Sequence, residues 1–208
     1  MTSTRFRATT IDAIDDIPVV GGSLRWKPVR RTLGIRAFGT NAYVADAGQE
    51  VVEPHDELSA SGTGGHEELY VVLTGHATFT IDGEPLDAPA GTLVFLPDPA
   101  ARREAIALQD GTTVLAVGGE PGRPYAVSAW EHYFAAERHV ADEDWDAAAA
   151  TVAAALPEHD GNPAVHYKLS DFLARAGRQD EARVHRDRAR AADPERVAAW
   201  EAEDATDA

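Results

Sequence analysis

The 208-residue sequence predicts a mixed fold, a small all-β barrel followed by an all-α region of helical hairpins. Short apolar runs recur at about 8–12-residue spacing with Gly or Pro between them, which predicts a sandwich or barrel. From Tyr125 onward glycine nearly disappears and 24 of 84 residues are alanine, the best helix former. We therefore expect an N-terminal arm over residues 1–24, a barrel over 25–118, a linker over 119–127 and helices over 128–208.

The strands of the barrel are predicted from apolar runs and from alternation. After Gly75, polar and apolar residues alternate up to Ile81, which places the two sets on opposite faces of a strand. Asp82-Gly83 then predicts a tight hairpin, because both residues tolerate a positive φ. The predicted strands are 33–38, 42–45, 51–55, 69–73, 78–81, 84–86, 92–96 and 113–117.

Two spacings in the barrel region combine with a cluster of polar residues. Glu68 is followed by six residues and Gly75, and Gly91 by five residues and Pro97. Histidine and glutamate residues cluster before Glu68 and at Glu68 itself. They are His55, Glu57, His66, Glu67 and Glu68.

These spacings resemble the cupin superfamily over roughly residues 30–118. Its first motif is a Gly, His-x-His, a Glu, six residues and a Gly; its second is a Gly, five residues, Pro-x-Gly, two residues and a His. The resemblance implies a cupin-type jelly-roll barrel whose three His and one Glu hold a divalent ion. This sequence departs from the pattern, with His55-Asp56-Glu57 for His-x-His, Pro99 for the second Gly and Arg102 for the last His.

The departures leave two interpretations of the site open. One divalent ion, Zn, Mn or Fe, would suit two imidazoles and one or two carboxylates, and its candidate ligands are His55, Glu57, His66 and Glu68. A permanently charged Arg102 at the position of the last ligand would repel that ion, so we expect no metal or one held weakly. The barrel would then bind a small polar or anionic ligand. The candidate ligand-binding residues are His55, Glu57, His66, Glu68, His76 and Arg102.

The functional prediction is therefore a non-catalytic or weakly catalytic binding protein, with no residue assigned as catalytic. Nucleophilic catalysis has little support, because the chain has no cysteine and no Gly-x-Ser-x-Gly elbow. One alternative is a metal-dependent enzyme of oxygenase or isomerase type that uses His55, His66 and Glu68. The other is a protein-interaction scaffold in which the barrel carries no site.

Charge and composition exclude several partners. The net charge is −16, and the parts before and after residue 124 are both acidic, which argues against nucleic acid. No run approaches the ~20 apolar residues of a membrane span, and the first residues lack the apolar core of a signal peptide. We expect no membrane partner and a cytoplasmic location.

The helical region has an internal period that resembles the tetratricopeptide repeat of 34 residues. Ala182 stands twelve residues before Pro194, and a shift of 34 residues leads back to Ala148 in a second alanine-rich helix. The predicted helices are 128–140, 143–156, 163–176, 179–192 and 195–203. Two repeats are too few to bury their apolar faces on each other, so we expect a homodimer, with a protein partner for the helices as the alternative.

Overall fold

The computed structural model describes residues 6–58 and 65–204. Within these residues the chain divides into two compact units, one of residues 6–58 and 65–127 and the other of residues 128–204. Most of the Gly- and Ser-rich stretch between Glu57 and His66 lies outside the described residues.

The first unit consists of strands, with a short helix and two turns of 3-10 helix at Ile11–Ala13 and Val20–Gly22. In chain order its elements are β1 (Ile17–Val19), β2 (Leu24–Lys27), α1 (Val29–Leu33), β3 (Gly39–Ala45), β4 (Glu50–His55), β5 (Glu67–Thr74), β6 (His76–Ile81), β7 (Glu84–Pro89), β8 (Leu93–Leu96), β9 (Arg103–Ala107) and β10 (Thr112–Gly119).

The strands form two antiparallel sheets with a nested order. One sheet runs β1-β2-β3-β10-β5-β8 and the other β4-β9-β6-β7. From β3 onward the pairs are nested. Strand β3 pairs with β10, β4 with β9, β5 with β8, and β6 with β7 in the innermost hairpin. This nesting is the jelly-roll arrangement, so the predicted β-barrel core is present.

The β6–β7 hairpin has the predicted turn. Ile81 pairs with Glu84, and both intervening residues have positive φ, 50° at Asp82 and 86° at Gly83. Inward-facing residues of the two sheets then fill the space between them, as alternation requires. This core consists of Ala45, Val51, Val52, Tyr70, Val72, Ala77, Phe79, Ala88, Val94, Leu96, Ala105, Ala107, Val114 and Ala116.

Two expectations for the N-terminal part were wrong. Residues 33–38 do not form a strand, because helix α1 follows Pro28 and ends at Gly34, whose φ of 69° is left-handed. Part of the arm also belongs to the sheet, since β1 pairs with β2 of the same chain. Ile14 is buried against Val29 and Ala42, so this arm finds local apolar partners.

The second unit is helical. Its elements are α2 (Ala129–Ala141), α3 (Trp145–Ala153), α4 (Leu156–His159), α5 (Pro163–Arg175), α6 (Gln179–Ala192) and α7 (Pro194–Asp204). The predicted helix over 143–156 is thus shorter, and the chain turns before a separate α4. Pro157 explains the break, since its ring would clash with the carbonyl of Ala153 four residues earlier.

The helical unit has its own apolar core. Alanines of α2 and α3 pack with larger side chains of α5, among them Leu169 and Phe172. Trp145 lies beside Phe172, with ring centroids 6.2 Å apart, and Trp200 beside Tyr167 at 5.1 Å. These two tryptophans therefore have partners within the unit. Among the helices that the structure describes, none is both long and apolar enough to cross a membrane.

Candidate functional site

The candidate site lies where several strand ends of the jelly roll meet. His55 ends β4 and is paired in register with Arg103, the first residue of β9. Glu57 follows β4, and its backbone N–H donates to the carbonyl of Pro99 at 2.9 Å, which ties it to the loop before β9. The sheet register thus brings residues from separate parts of the sequence to one place.

Glu68 reaches the same place from the other sheet. It stands opposite Gly118 of β10, and a Cβ at Gly118 would lie 3.0 Å from Cγ of Glu68. The glycine therefore leaves room for the carboxylate. Tyr70, two residues along β5, lies on the same face and donates its hydroxyl to Oε2 of Glu68 at 2.5 Å.

His55 lies between two carboxylates. Its Nε2 is 3.5 Å from Oε1 of Glu57 and 3.8 Å from Oε2 of Glu68. Its Nδ1 donates to the backbone carbonyl of Glu53 at 2.6 Å, which orients the ring. His66 contacts the cluster from outside, with Nδ1 3.7 Å from Oε2 of Glu57.

The electrostatics favour a charged network. Burial by itself would lower the pKa of His55, but the hydrogen bonds of Glu57 and Glu68 and the carbonyl of Glu53 raise it to about 10. Burial likewise opposes ionisation of Glu68, yet the hydrogen bonds of His55 and Tyr70 and the charge of Arg103 hold its pKa below the usual range. Burial and the Glu68 carboxylate raise the pKa of Tyr70, which stays protonated as a donor.

Several buried polar atoms of this cluster have no hydrogen bond. The side chain of Arg103 is 0% exposed, with Nε 3.8 Å from Oε2 of Glu68, yet Nε, Nη1 and Nη2 all lack a hydrogen-bond partner. Oε2 of Glu57, a residue only 4% exposed, is also without one. Buried polar groups in native proteins are nearly always satisfied, so each of these atoms calls for an explanation.

Four of the six predicted ligand-binding residues come together, namely His55, Glu57, His66 and Glu68. The other two do not. Arg102 is exposed, and its backbone exchanges hydrogen bonds with Asp82. Nε2 of His76 lies 2.5 Å from Oδ1 of Asp87. His76 is five residues along β6 from Ile81, and Ile81 pairs in register with Arg103. That separation is roughly 16 Å along a strand.

The sequence interpretation missed Arg103, Tyr70 and Tyr125. Strand alternation contained the signal for the first two, because Arg103 shares a face with Ala105, and Tyr70 with Val72, all of them buried. Counting residues from Pro97 led to Arg102 instead. Tyr125 lies in the predicted linker, yet its ring is 5.9 Å from that of His66, a tertiary contact that no local pattern indicates.

The donor set of the cluster meets only some of the requirements of a metal site. One ligand atom from each of His55, Glu57 and Glu68 lies within 4.8 Å of the others, a grouping that suits a divalent ion in composition. A buried guanidinium 3.8 Å from Glu68 cannot lose its proton, however, and repels a cation placed there. The residues present therefore fit a resident metal poorly.

Neither a protein-family model nor a curated protein matches this chain. Several of the solved structures that resemble it are cupin proteins. One is a cupin protein from Bacteroides fragilis, 19% identical, with 60% of this chain and 92% of that chain covered and a TM-score of 0.41. A sugar phosphate isomerase of the cupin superfamily from Silicibacter pomeroyi is 16% identical, with 55% and 76% covered and a TM-score of 0.45. Because these TM-scores are below 0.5, the jelly roll is assigned from the strand order of the chain itself.

Proposed function

We propose that the barrel binds a small organic anion without a metal, and that Arg103 is the residue that holds its charge. The observation that carries this proposal is the buried guanidinium with three nitrogens that lack hydrogen bonds. A buried ion that is unsatisfied costs several kcal/mol of stability, so its retention needs a compensating role. A carboxylate or phosphate would accept two parallel N–H bonds from the fork and remove that cost.

The neighbouring residues support binding rather than simple ion pairing. Glu68 accepts the Tyr70 hydroxyl and contacts His55, so its charge is already compensated without a hydrogen bond from Arg103. The two carboxylates and the two cations, His55 and Arg103, balance one another. A monoanion that binds therefore enters a cluster without net charge, and the N–H groups that lack hydrogen bonds there belong to Arg103.

Isothermal titration calorimetry with propionate, lactate, succinate and malate tests the proposal at constant ionic strength, with chloride as the reference anion. We expect at least one of these acids to bind, and Arg103→Met to weaken it by about 10–100-fold, since hydrogen bonds to a charged group contribute about 1.5–3 kcal/mol. Arg102→Met is the matched control, because it removes the same charge one residue away, from an exposed position. Equal affinities in the two variants would refute a role for Arg103.

A metal-dependent enzyme is the second candidate, favoured by the grouping of His55, Glu57 and Glu68 within 4.8 Å. Elemental analysis of untagged protein, purified without added metal, separates the candidates. We expect well under one equivalent of Zn, Mn or Fe. One equivalent that is lost on His55→Ala would support the enzyme instead.

For the second unit we propose two repeats of tetratricopeptide type. Helices α2 and α5 begin at Ala129 and Pro163, and α3 and α6 begin at Trp145 and Gln179, so both helices of the hairpin recur after 34 residues. This equals the period of that repeat. The proposal predicts that the protein tolerates insertion of a consensus 34-residue repeat between residues 161 and 162. Loss of cooperative unfolding on insertion would contradict it.

We also propose that the chain forms a homodimer through the edge of the larger sheet. Strand β8 ends that sheet, and its residues Leu93 and Phe95 are 66% and 56% exposed. An apolar edge strand promotes association with another chain. Light scattering should give twice the mass of one chain, and Leu93→Lys with Phe95→Lys should give a monomer. A monomeric unmodified chain would leave another protein as the partner.

A further inference from the structure

We infer that the ligand is a hydroxy acid, whose hydroxyl group binds Glu57 while its carboxylate binds Arg103. This inference rests on the proposed anion site and extends it. Its own observation is the second unsatisfied group of the cluster, Oε2 of Glu57, which is buried and accepts no hydrogen bond. Arg103 can satisfy only an acceptor, and Glu57 only a donor. A single ligand that satisfies both must carry both groups.

The distances limit how far apart these two groups can be. Arg103 Nε is 3.8 Å from Oε2 of Glu68. Glu57 and Glu68 each have an oxygen within 4.8 Å of the other. The guanidinium and the Glu57 carboxylate therefore lie a few ångströms from a common neighbour, which suits a carboxylate and a hydroxyl on the same or adjacent carbon atoms.

The number of acceptors favours a hydroxyl over an ammonium group. Oε1 of Glu57 is near Nε2 of His55, and Oε2 of Glu68 accepts from Tyr70, whereas Oε2 of Glu57 is buried without a hydrogen-bond partner. A hydroxyl donates one hydrogen and would be satisfied there. An ammonium group has three hydrogens, of which Oε2 of Glu57 accepts one, so it would need further acceptors where a hydroxyl needs none.

The test uses pairs of acids that differ by one hydroxyl group, lactate with propionate and malate with succinate, measured by calorimetry on the full chain. A missing hydroxyl leaves Oε2 of Glu57 unsatisfied, which costs about 1–3 kcal/mol, so the hydroxy acid of a pair should bind about 5–150-fold more tightly. Glu57→Met should remove this preference, whereas Glu57→Gln keeps a neutral acceptor and should retain part of it. The ratio of the two affinities within each pair is measured on the unmodified protein, so misfolding of Glu57→Met would leave the test valid.

The possible outcomes separate this inference from the proposed function. Equal binding of both members of each pair, still lost on Arg103→Met, would overturn the hydroxy-acid inference and leave the anion site standing. Tighter binding of alanine than of lactate would overturn it in favour of amino acids. Failure of all these acids to bind would overturn both proposals. Preference for lactate and malate that disappears on Glu57→Met would establish the inference.

Discussion

Both units of the molecule contain a histidine in a polar contact, and the two contacts differ in kind. His55 of the barrel lies between the carboxylates of Glu57 and Glu68. His166 of the helical unit, only 2% exposed, lies against a second histidine, with Nδ1 2.9 Å from Nδ1 of His185 and the rings stacked. Its Nε2 donates to the backbone carbonyl of Asp160 at 2.7 Å.

The groups around each imidazole decide its charge. Carboxylates raise the pKa of His55 to about 10 in spite of burial. Burial and the neighbouring His166 and Arg188 lower the pKa of His185 instead. The barrel thus favours the charged form of His55, and the helical unit favours the neutral form of His185.

The largest expected effect comes from removing the negative charge of Glu68. Glu68→Gln leaves the buried Arg103 without the carboxylate that lies 3.8 Å from its Nε, and removes one of the two carboxylates at His55. It should lower the free energy of unfolding of the barrel by about 3–5 kcal/mol. Glu67→Gln is the matched control on the same strand and should change it by less than about 0.5 kcal/mol. Hydrogen exchange followed by mass spectrometry measures the two units separately. Equal loss of protection in both variants would contradict the charged network.

The helical unit should respond to acid. A lowered pKa for His185 means that the unfolded chain binds the proton first, so stability is lost as the pH falls below the ordinary value near 6.5. The groups that face His185 are His166 and Asp160, with Glu181 and Arg188 on its own helix. We expect protection of α5 and α6 to decrease between pH 7.5 and 5.5, by at most about 1.4 kcal/mol per pH unit for one proton. His185→Gln should remove most of this dependence, and a response unchanged by that substitution would contradict it.

The charge states can be measured without denaturation. In NMR titrations the ring of His55 should keep the signals of an imidazolium through pH 9, because its folded pKa is raised to about 10. The ring of His185 should be more than half neutral at pH 6.5, because its pKa is lowered from that value. His55→Gln and His185→Gln assign the signals. Two ordinary titrations near pH 6.5 would show that neither environment acts as described.

The same comparison shows which features a sequence can predict. The strands of a sandwich or barrel and the helix positions follow from alternation, capping residues and alanine content, which are local signals. The jelly roll was implied by the resemblance to the cupin superfamily. The residue spacings placed Glu68 and His55 in one candidate site, and Nε2 of His55 lies 3.8 Å from Oε2 of Glu68 in the structure. The arginine of the site was predicted as Arg102, but the buried one is Arg103. A count of residues from Pro97 does not show which way a side chain points, whereas alternation along the strand places Arg103 on the same buried face as Ala105. The contact of His166 with His185 joins two helices, and the contact of Tyr125 with His66 joins a tail to the barrel, so neither could be inferred from local patterns.

The smallest expected effect concerns Arg103, and it separates binding from structure within the barrel. His166 has a hydrogen-bond partner for each ring nitrogen, as a structural polar group does, but Arg103 has none for Nε, Nη1 or Nη2. Arg103→Met removes an unsatisfied buried cation and leaves Glu68 with His55 and Tyr70. We therefore expect the ligand-free barrel to lose no more than about 1 kcal/mol, and even to gain stability, as apolar replacements of buried ions often do. Arg102→Met, measured by the same hydrogen exchange, gives the value for an exposed arginine. A loss of about 3–5 kcal/mol at Arg103 alone would mean that its contact with Glu68 stabilises the fold, and that the arginine is retained for structure rather than for binding an anion.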